Sequence, residues 1–202
     1  APRTLASYIA EGGTSKNFIE LKRLMYAHPD WLHGLLAKIT DTVKFYLAAQ
    51  IDAGAAAVQV FDTWAGELAS ADYRRFALPY LQEIVSYLRS RTDRPVILYT
   101  NGTAAILEQM LETGVDCVSV DWRISMAEAA RRVAGRAAIQ GNVDPCALLA
   151  PADELRAIVE RVIAEYGNRP GLIVNLGHGI LPPTPVESVE VFVNTVKSYR
   201  YE

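Results

Sequence analysis

Cysteine and histidine are scarce in this sequence. Only two cysteines and three histidines occur among its 202 residues. Neither cysteine belongs to a C-x-x-C pair, and neither an H-E-x-x-H nor a His-x-Cys motif is present. The sequence therefore predicts no disulfide framework, no metal site and no cofactor bound through one. Cysteine usage of this kind is typical of a reducing, cytoplasmic compartment.

A strong excess of charge and long apolar runs are also missing. The formal net charge is only -3, with the two signs interspersed, so no basic face is available for nucleic acid. No stretch approaches the roughly 20 consecutive apolar residues of a membrane span. The first residues, A-P-R-T-L-A-S-Y, lack the charged-then-apolar layout of a signal peptide. We therefore expect no nucleic-acid partner, no membrane association and a cytoplasmic location.

Apolar residues are abundant enough for a substantial core. The chain is 50% hydrophobic and 9% aromatic, and we expect a single domain over residues 1–202. It does not begin with Met, and A-P-R-T-L resembles a loop that leaves an upstream element. Processing and truncation both explain such a start, and composition does not choose between them.

Four segments carry apolar residues three and four positions apart, which predicts helices. The clearest runs from Leu155 to Tyr166 and follows Pro151, with Asp153 and Glu154 in its first turn. The same spacing predicts three further helices, over residues 35–47, 73–88 and 189–196.

Five short apolar runs lie between the helices and are bounded by turn residues. They are rich in Val or Ile and too short for helices, so they predict strands buried on both faces. These runs are residues 56–61, 96–99, 117–120, 137–140 and 172–176. Because strands alternate with helices, the sheet is expected to be parallel.

The strand ends favour one of two parallel architectures. An open flavodoxin-like sheet concentrates its ligand groups at one switch point, whereas a (β/α)₈ TIM barrel, typically about 250 residues long, collects them from many strands. Here every strand is followed by a polar or glycine-containing stretch: F-D-T-W-A-G, Y-T-N-G, V-D-W-R, Q-G-N-V-D-P and N-L-G-H-G. The sequence thus favours a partial (β/α)₈ barrel of about five strand-helix units, with its chemistry at the carboxyl ends of the strands.

His178 is the leading candidate for a functional residue, because it is the one histidine at a predicted strand end and glycines flank it. Thr63 could hydrogen-bond a ligand and Trp64 could form a pocket wall. An ordinary turn with a packed tryptophan is an equally good interpretation of these two residues.

Structural roles are favoured for the other polar residues at strand ends. Asp121 and Arg123 are expected to pair with each other, although Arg123 could instead bind a carboxylate. Asn142 and Asp144 are expected to cap the turn before Pro145. Neither a Gly-x-Ser-x-Gly elbow nor a Cys-His pair on neighbouring strand ends is present. The site is therefore predicted to act by hydrogen bonding and shape.

Four motifs, in order along the chain, resemble the uroporphyrinogen decarboxylase family in its bacterial form: A-P-R-T-L-A-S-Y-I-A-E-G-G, Q-V-F-D-T-W-A-G, Q-G-N-V-D-P-C-A-L and N-L-G-H-G-I-L-P. The resemblance covers the entire chain, and the last two motifs are specific. It implies a distorted (β/α)₈ barrel, usually a homodimer, that needs neither cofactor nor metal. The implied reaction removes carbon dioxide from the four acetate side chains of uroporphyrinogen III to give coproporphyrinogen III.

The resemblance also implies roles for individual residues. Tyr8 matches the family tyrosine near a substrate carboxylate, Thr63 a Ser or Thr that lines the cleft, and His178 the active-site histidine; Phe61 would line the wall. The family's N-terminal R-Q-A-G-R type motif, and the aspartate that binds the pyrrole NH groups, have no counterpart in this sequence. The chain thus resembles the C-terminal part of the family barrel, which would supply substrate-binding residues but be inactive alone.

Two alternatives stay open at this point. A zinc-dependent corrinoid methyltransferase shares the implied fold, but it would need a His-x-Cys where this chain has Y-T-N-G. A non-catalytic domain could retain only a ligand or dimer surface.

Overall fold

The computed structural model describes residues 1–13 and 15–201. The chain divides into two compact units, Ala1–Cys117 and Val118–Glu202. Strands alternate with helices in both, and strands pair in parallel within each unit, as predicted for an α/β fold. The expectation of a single domain over residues 1–202 stays a prediction.

The first unit contains six α-helices and two complete strands in its described residues, and the expectation of a loop at A-P-R-T-L is wrong because residues 2–5 begin the first helix. In chain order these are α1 (Pro2–Glu11), α2 (Ile19–Ala27), α3 (Pro29–Asp52), β1 (Val58–Asp62), α4 (Ser70–Phe76), α5 (Leu78–Arg89), β2 (Val96–Thr100) and α6 (Leu107–Glu112). A further strand, β3 (Cys117–Ser119), spans the division between the units. The register of β1 and β2 places Asp62 beside Thr100, so their carboxyl ends are level.

The helix predicted over residues 73–88 is instead two helices. α4 ends at Phe76 and α5 begins at Leu78, with Ala77 between them in a non-helical conformation (φ -127°, ψ -54°). The cause is Pro79, which lacks an N–H and whose ring would clash with the carbonyl four residues earlier in a continuous helix. In the first turn of α5 that missing N–H costs nothing.

The second unit holds the remaining α-helices and strands. They are α7 (Met126–Val133), β4 (Ala138–Val143), α8 (Ala152–Tyr166), β5 (Leu172–Leu176) and α9 (Val186–Ser198). β4 and β5 pair in parallel, with Val143 beside Leu176 at their carboxyl ends. The predicted helix from Leu155 to Tyr166 is confirmed within α8.

Burial on both strand faces was predicted for all five strands and is wrong for β5. Its residues alternate between half-buried and exposed, and Ile173 is 43% exposed. An apolar composition shows that a strand can be buried. Whether both of its faces are buried depends on which helices and strands pack against it. The other four strands are largely buried, although Phe61 on β1 is 53% exposed.

Each unit has its own apolar interior. In the first, α3 packs against α1 and α5, and Leu36, Ile84 and Leu88 are buried. In the second, α8 packs against β4 and α9, and Leu155 and Val159 are completely buried. Within residues 1–13 and 15–201, no helix has both the length and the apolar character needed to cross a bilayer.

Candidate functional site

Two glycines allow the turns that follow β1 and β2 to approach each other closely. A Cβ atom on Gly66 would lie 2.2 Å from the carbonyl oxygen of Asn101 and 2.7 Å from the Cα atom of Gly102. Gly102 has a positive φ of 73°, a conformation that suits glycine. The predicted strand-end sequences F-D-T-W-A-G and Y-T-N-G therefore meet backbone to backbone.

Tyr8 is joined to the turn after β1 by a hydrogen bond. The indole Nε1 of Trp64 donates to the Tyr8 hydroxyl at 3.1 Å. The Trp64 ring also lies 5.4 Å from the ring of Phe18, measured between centroids. Tyr8 is 43% exposed, so its hydroxyl, held by the indole, can still donate its own proton to a ligand.

Phe61 and Asp62 project to opposite faces at the end of β1, as consecutive strand residues do. Phe61 is 53% exposed and its ring lies 5.9 Å from that of Tyr99, whereas Asp62 is completely buried. Thr63 follows the strand and is half-buried. The structure thus places Tyr8, Phe61 and Thr63 in one unit, at or beside the carboxyl end of β1.

Sequence reasoning missed a buried polar cluster behind these residues. Arg3 is 2% exposed, and Asp62 and Tyr73 are completely buried. Burial lowers the pKa of Arg3, while the negative charges of Asp62 and Glu67 raise it. Burial also raises the pKa of Tyr73, and the charge of Asp62 adds to that shift. A signal was available, since Arg3 shares the buried helix face of Ala6 and Ser7 at helical spacing.

His178 belongs to the second unit, in the turn after β5. Gly177 begins this turn, donating its N–H to the carbonyl of Val143 at 2.7 Å. A Cβ on Gly177 would lie 2.7 Å from the backbone nitrogen of Trp122. His178 itself is exposed, and its Nδ1 accepts the N–H of Gly179 at 2.7 Å. The neutral ring therefore carries its proton on Nε2, as a hydrogen-bond donor.

The predicted pairing of Asp121 with Arg123 is confirmed. The Arg123 guanidinium donates to the carboxylate of Asp121, which is completely buried. The same guanidinium lies over the Trp122 ring, 4.4 Å from its centroid. Arg123 is thus held by neighbours on its own turn.

The two expected caps before Pro145 have different outcomes. Asp144 accepts the backbone N–H of Cys146 at 2.9 Å and caps a short 3₁₀ turn, Pro145–Leu149, as predicted. Asn142 does not act as a cap. It is 4% exposed and donates to the carbonyls of Asp121 and Ile124 at 3.1 and 2.6 Å. Its position inside β4 directs the side chain to the turn after β3, a non-local contact that sequence spacing does not reveal.

One stretch, R-V-A-G-R, is similar in sequence to the R-Q-A-G-R type motif. It covers residues 132–136, at the end of α7 and before β4. Arg136 donates to the carbonyls of Val133 and Arg132 at 3.2 and 2.9 Å, so it caps the helix end. This stretch lies at the amino end of β4, whereas His178 follows the carboxyl end of β5. In the described residues, no three His, Cys, Asp or Glu side chains are grouped to hold a metal.

A (β/α)-type fold with polar residues at its strand ends defines the class of this chain. A methyltransferase from Methanosarcina mazei is similar in structure, with a TM-score of 0.83 and 24% identity over 98% of this chain and 56% of that one. This likeness agrees with the predicted partial (β/α)₈ barrel. The uroporphyrinogen decarboxylase family model matches residues 1–199, and the chain belongs to that family.

Individual relatives agree with this assignment. The uroporphyrinogen decarboxylase of Actinobacillus succinogenes is 46% identical over 202 aligned residues, covering 98% of this chain and 57% of the relative. The uroporphyrinogen decarboxylase of Hahella chejuensis is 47% identical over 97% of this chain and 56% of the relative. The chain thus spans somewhat more than half the length of these relatives.

Proposed function

We propose that this sequence, in a chain that also carries the rest of the family domain, is part of a uroporphyrinogen decarboxylase. The enzyme is a carboxy-lyase of porphyrin and heme biosynthesis. It removes carbon dioxide from the four acetate side chains of uroporphyrinogen III and yields coproporphyrinogen III. Family membership over residues 1–199 is the observation that carries this proposal. The likeness to a methyltransferase concerns the fold and supports no second function.

Tyr8, Phe61, Thr63 and His178 are the proposed substrate-binding residues. The Tyr8 hydroxyl accepts from Trp64 and keeps its proton for a carboxylate, and the His178 ring offers Nε2–H in its neutral form. Both groups are therefore hydrogen-bond donors, which suits a substrate with eight carboxylates. The exposed ring of Phe61 supplies an apolar wall for the macrocycle. These groups act by positioning the substrate.

The bond-breaking step is proposed to depend on groups that this sequence does not contain. In the family, protonation of a pyrrole carbon creates a cation that accepts the electrons of the leaving carboxylate. A fixed aspartate would stabilise that cation, and an arginine would donate the proton. Here Arg3 is buried and Arg123 is paired with Asp121. We therefore propose that the 202-residue chain is inactive alone. From the resemblance to the family, we also propose that the whole enzyme is a cytoplasmic homodimer without cofactor or metal.

Porphyrin product analysis tests the proposal. A chain that joins the N-terminal part of a family relative to this sequence is expected to convert uroporphyrinogen III to coproporphyrinogen III. The 202-residue chain is expected to give no product. Turnover by the 202-residue chain would contradict its inactivity, and loss of activity in a folded joined chain would contradict the proposed function.

Two variants of the joined chain test the site. His178→Asn and Tyr8→Phe each remove one proposed donor and are expected to lower kcat/KM by about tenfold or more, the loss of one charge-assisted hydrogen bond. Tyr46→Phe is the matched control, because Tyr46 is 66% exposed and lies on α3. If the two site variants are as active as the control, the site assignment is wrong.

A further inference from the structure

The guanidinium of Arg3 is a buried cation for which the described residues supply no hydrogen-bond acceptor. Arg3 lies in the first turn of α1 and is 2% exposed. In the described part of the chain, no protein group accepts a hydrogen bond from its Nε, Nη1 or Nη2 atom. Its guanidinium carbon lies 5.3 Å from the centre of the Phe18 ring, so one face is covered by an aromatic surface.

Two more buried polar atoms belong with it. The Oδ2 atom of Asp62 and the hydroxyl of Tyr73 have no hydrogen-bond partner among the described residues, and both side chains are completely buried. The other oxygen of Asp62 accepts from the hydroxyl of Thr4 at 2.8 Å, and Thr4 directly follows Arg3. The charge of Asp62 acts on both Arg3 and Tyr73. We call Arg3, Asp62 and Tyr73 the Arg3 cluster.

Such a cluster is costly if it is dry. A buried guanidinium without acceptors loses its hydration, and a cation–π contact replaces only part of it. A buried carboxylate oxygen and a buried hydroxyl each add a further penalty. Native proteins usually satisfy groups of this kind with protein partners or internal water.

We propose that the Arg3 cluster is an internal hydration site, in which one or more water molecules accept from Arg3 and donate to Asp62 while contacting the Tyr73 hydroxyl. The charges select the ligand. Arg3 and Asp62 carry opposite charges and influence each other, so an anion bound at Arg3 would be repelled by Asp62, and a cation bound at Asp62 would be repelled by Arg3. Water both donates and accepts, and a buried water typically makes about three hydrogen bonds.

The water would connect the first turn of α1 to the end of β1. α1 also carries Tyr8, one turn further along and on the exposed side. The hydrated cluster therefore helps to position the helix that presents Tyr8. This inference concerns the 202-residue chain and holds whatever its substrate is.

A high-resolution crystal structure of the 202-residue chain tests the site directly. Water is expected within about 2.7–3.2 Å of both the Arg3 guanidinium and Asp62 Oδ2. A dry cluster, or a direct Arg3–Asp62 ion pair, would overturn the proposal. So would an anomalous peak at this position after a bromide soak, which would identify an anion.

Stability measurements give an independent test, because a wet and a dry cluster predict different changes in the folding equilibrium constant of Tyr73→Phe. If water satisfies the Tyr73 hydroxyl, Tyr73→Phe is expected to lower the folding equilibrium constant about three- to tenfold. If the hydroxyl is dry, the same substitution leaves that constant unchanged or raises it. Tyr46→Phe, on an exposed helix position, is the control for the loss of a hydroxyl.

The coupling between the two charges completes the test. Arg3→Met and Asp62→Asn each leave one buried partner uncompensated, so each is expected to lower the folding equilibrium constant. In the double variant, the decrease in the folding equilibrium constant should be about tenfold smaller than the product of the two single decreases. A stabilising Arg3→Met would contradict the proposal. If Arg3→Met fails to fold, Tyr73→Phe and the crystal structure decide.

Discussion

The indole nitrogen of Trp64 donates to the hydroxyl of Tyr8 across 3.1 Å, and this bond links α1 to the turn after β1. The two residues are far apart in sequence and belong to different predicted motifs. Their contact orients a proposed substrate-binding hydroxyl. It also uses the indole N–H as a fixed donor, which leaves the tyrosine proton for another acceptor.

Removing this bond should weaken the first unit modestly. Tyr8→Phe is expected to lower the free energy of unfolding by about 0.5–1 kcal/mol, since the bond is partly exposed to water. Trp64→Phe should cost more, because it also removes ring area packed against Phe18. Urea unfolding of the two single variants and the double variant measures the coupling, expected to be at least about 0.5 kcal/mol. Strictly additive effects would show that the bond contributes nothing in solution.

Local patterns predicted all five strands and four of the helical segments, but they did not predict α1, α2, α6 or α7. The stretch A-P-R-T-L, which was expected to be a loop, lies at the start of α1. β5 was predicted over 172–176, where it lies, and α8 contains the predicted face from Leu155 to Tyr166. Pro79 could have predicted the break between α4 and α5 at Ala77. The break was missed because the apolar spacing continues without interruption from residue 73 to residue 88. Local patterns specify the period of an element better than its ends.

The candidate site was predictable only in part, since its geometry comes from non-local contacts. Thr63 and His178 were predicted as site residues because residues at the carboxyl ends of strands are accessible to ligands in parallel folds, and this assignment stays a prediction. The buried position of Arg3 depends on Asp62 and Phe18, which no spacing rule connects to it. Asn142 failed as a predicted cap for the same reason, because its acceptors lie on the preceding strand-end turn.

Gly66 should tolerate no side chain. In Gly66→Ala the new Cβ would lie 2.2 Å from a backbone oxygen, and neither that oxygen nor the nearby Cα of Gly102 can move freely. We expect a loss of about 1–3 kcal/mol or more in unfolding free energy. Gly34→Ala is the matched control, since nothing lies within 4 Å of its Cβ position in α3. That change should stabilise the chain, by up to about 1 kcal/mol. Equal effects at both glycines would contradict the close approach of the two turns.

The two cysteines should differ in reactivity. Burial, helped by the charge of Asp116, raises the pKa of Cys117 to about 12, whereas Cys146 is exposed. Because alkylation requires the thiolate, native protein at pH 8 should take up one iodoacetamide per chain, on Cys146. Denatured protein should take up two. Peptide mass spectrometry identifies the site, and rapid labelling of native Cys117 would contradict the buried environment.

The shifted pKa of Cys117 also has a consequence for stability. In the unfolded chain the thiol loses its proton near the ordinary value of 9.0, but in the folded chain it does so only near 12. The unfolded state therefore binds fewer protons between these values, and the free energy of unfolding should fall as pH rises through this range. Cys117→Ala lacks this titration and should show a weaker decline over the same range.

Ser125 provides a separate test in the second unit. Its side chain accepts the backbone N–H of Glu128 at 3.2 Å and caps the amino end of α7. Ser125→Ala removes that acceptor and should cost about 1 kcal/mol, measured by urea unfolding. Ser125→Asp keeps an acceptor and adds a negative charge near the positive end of the helix dipole, so it should be neutral or stabilising. Because Ser125 is exposed, neither variant disturbs the core. If Ser125→Asp lost as much stability as Ser125→Ala, the capping interaction could not be the cause.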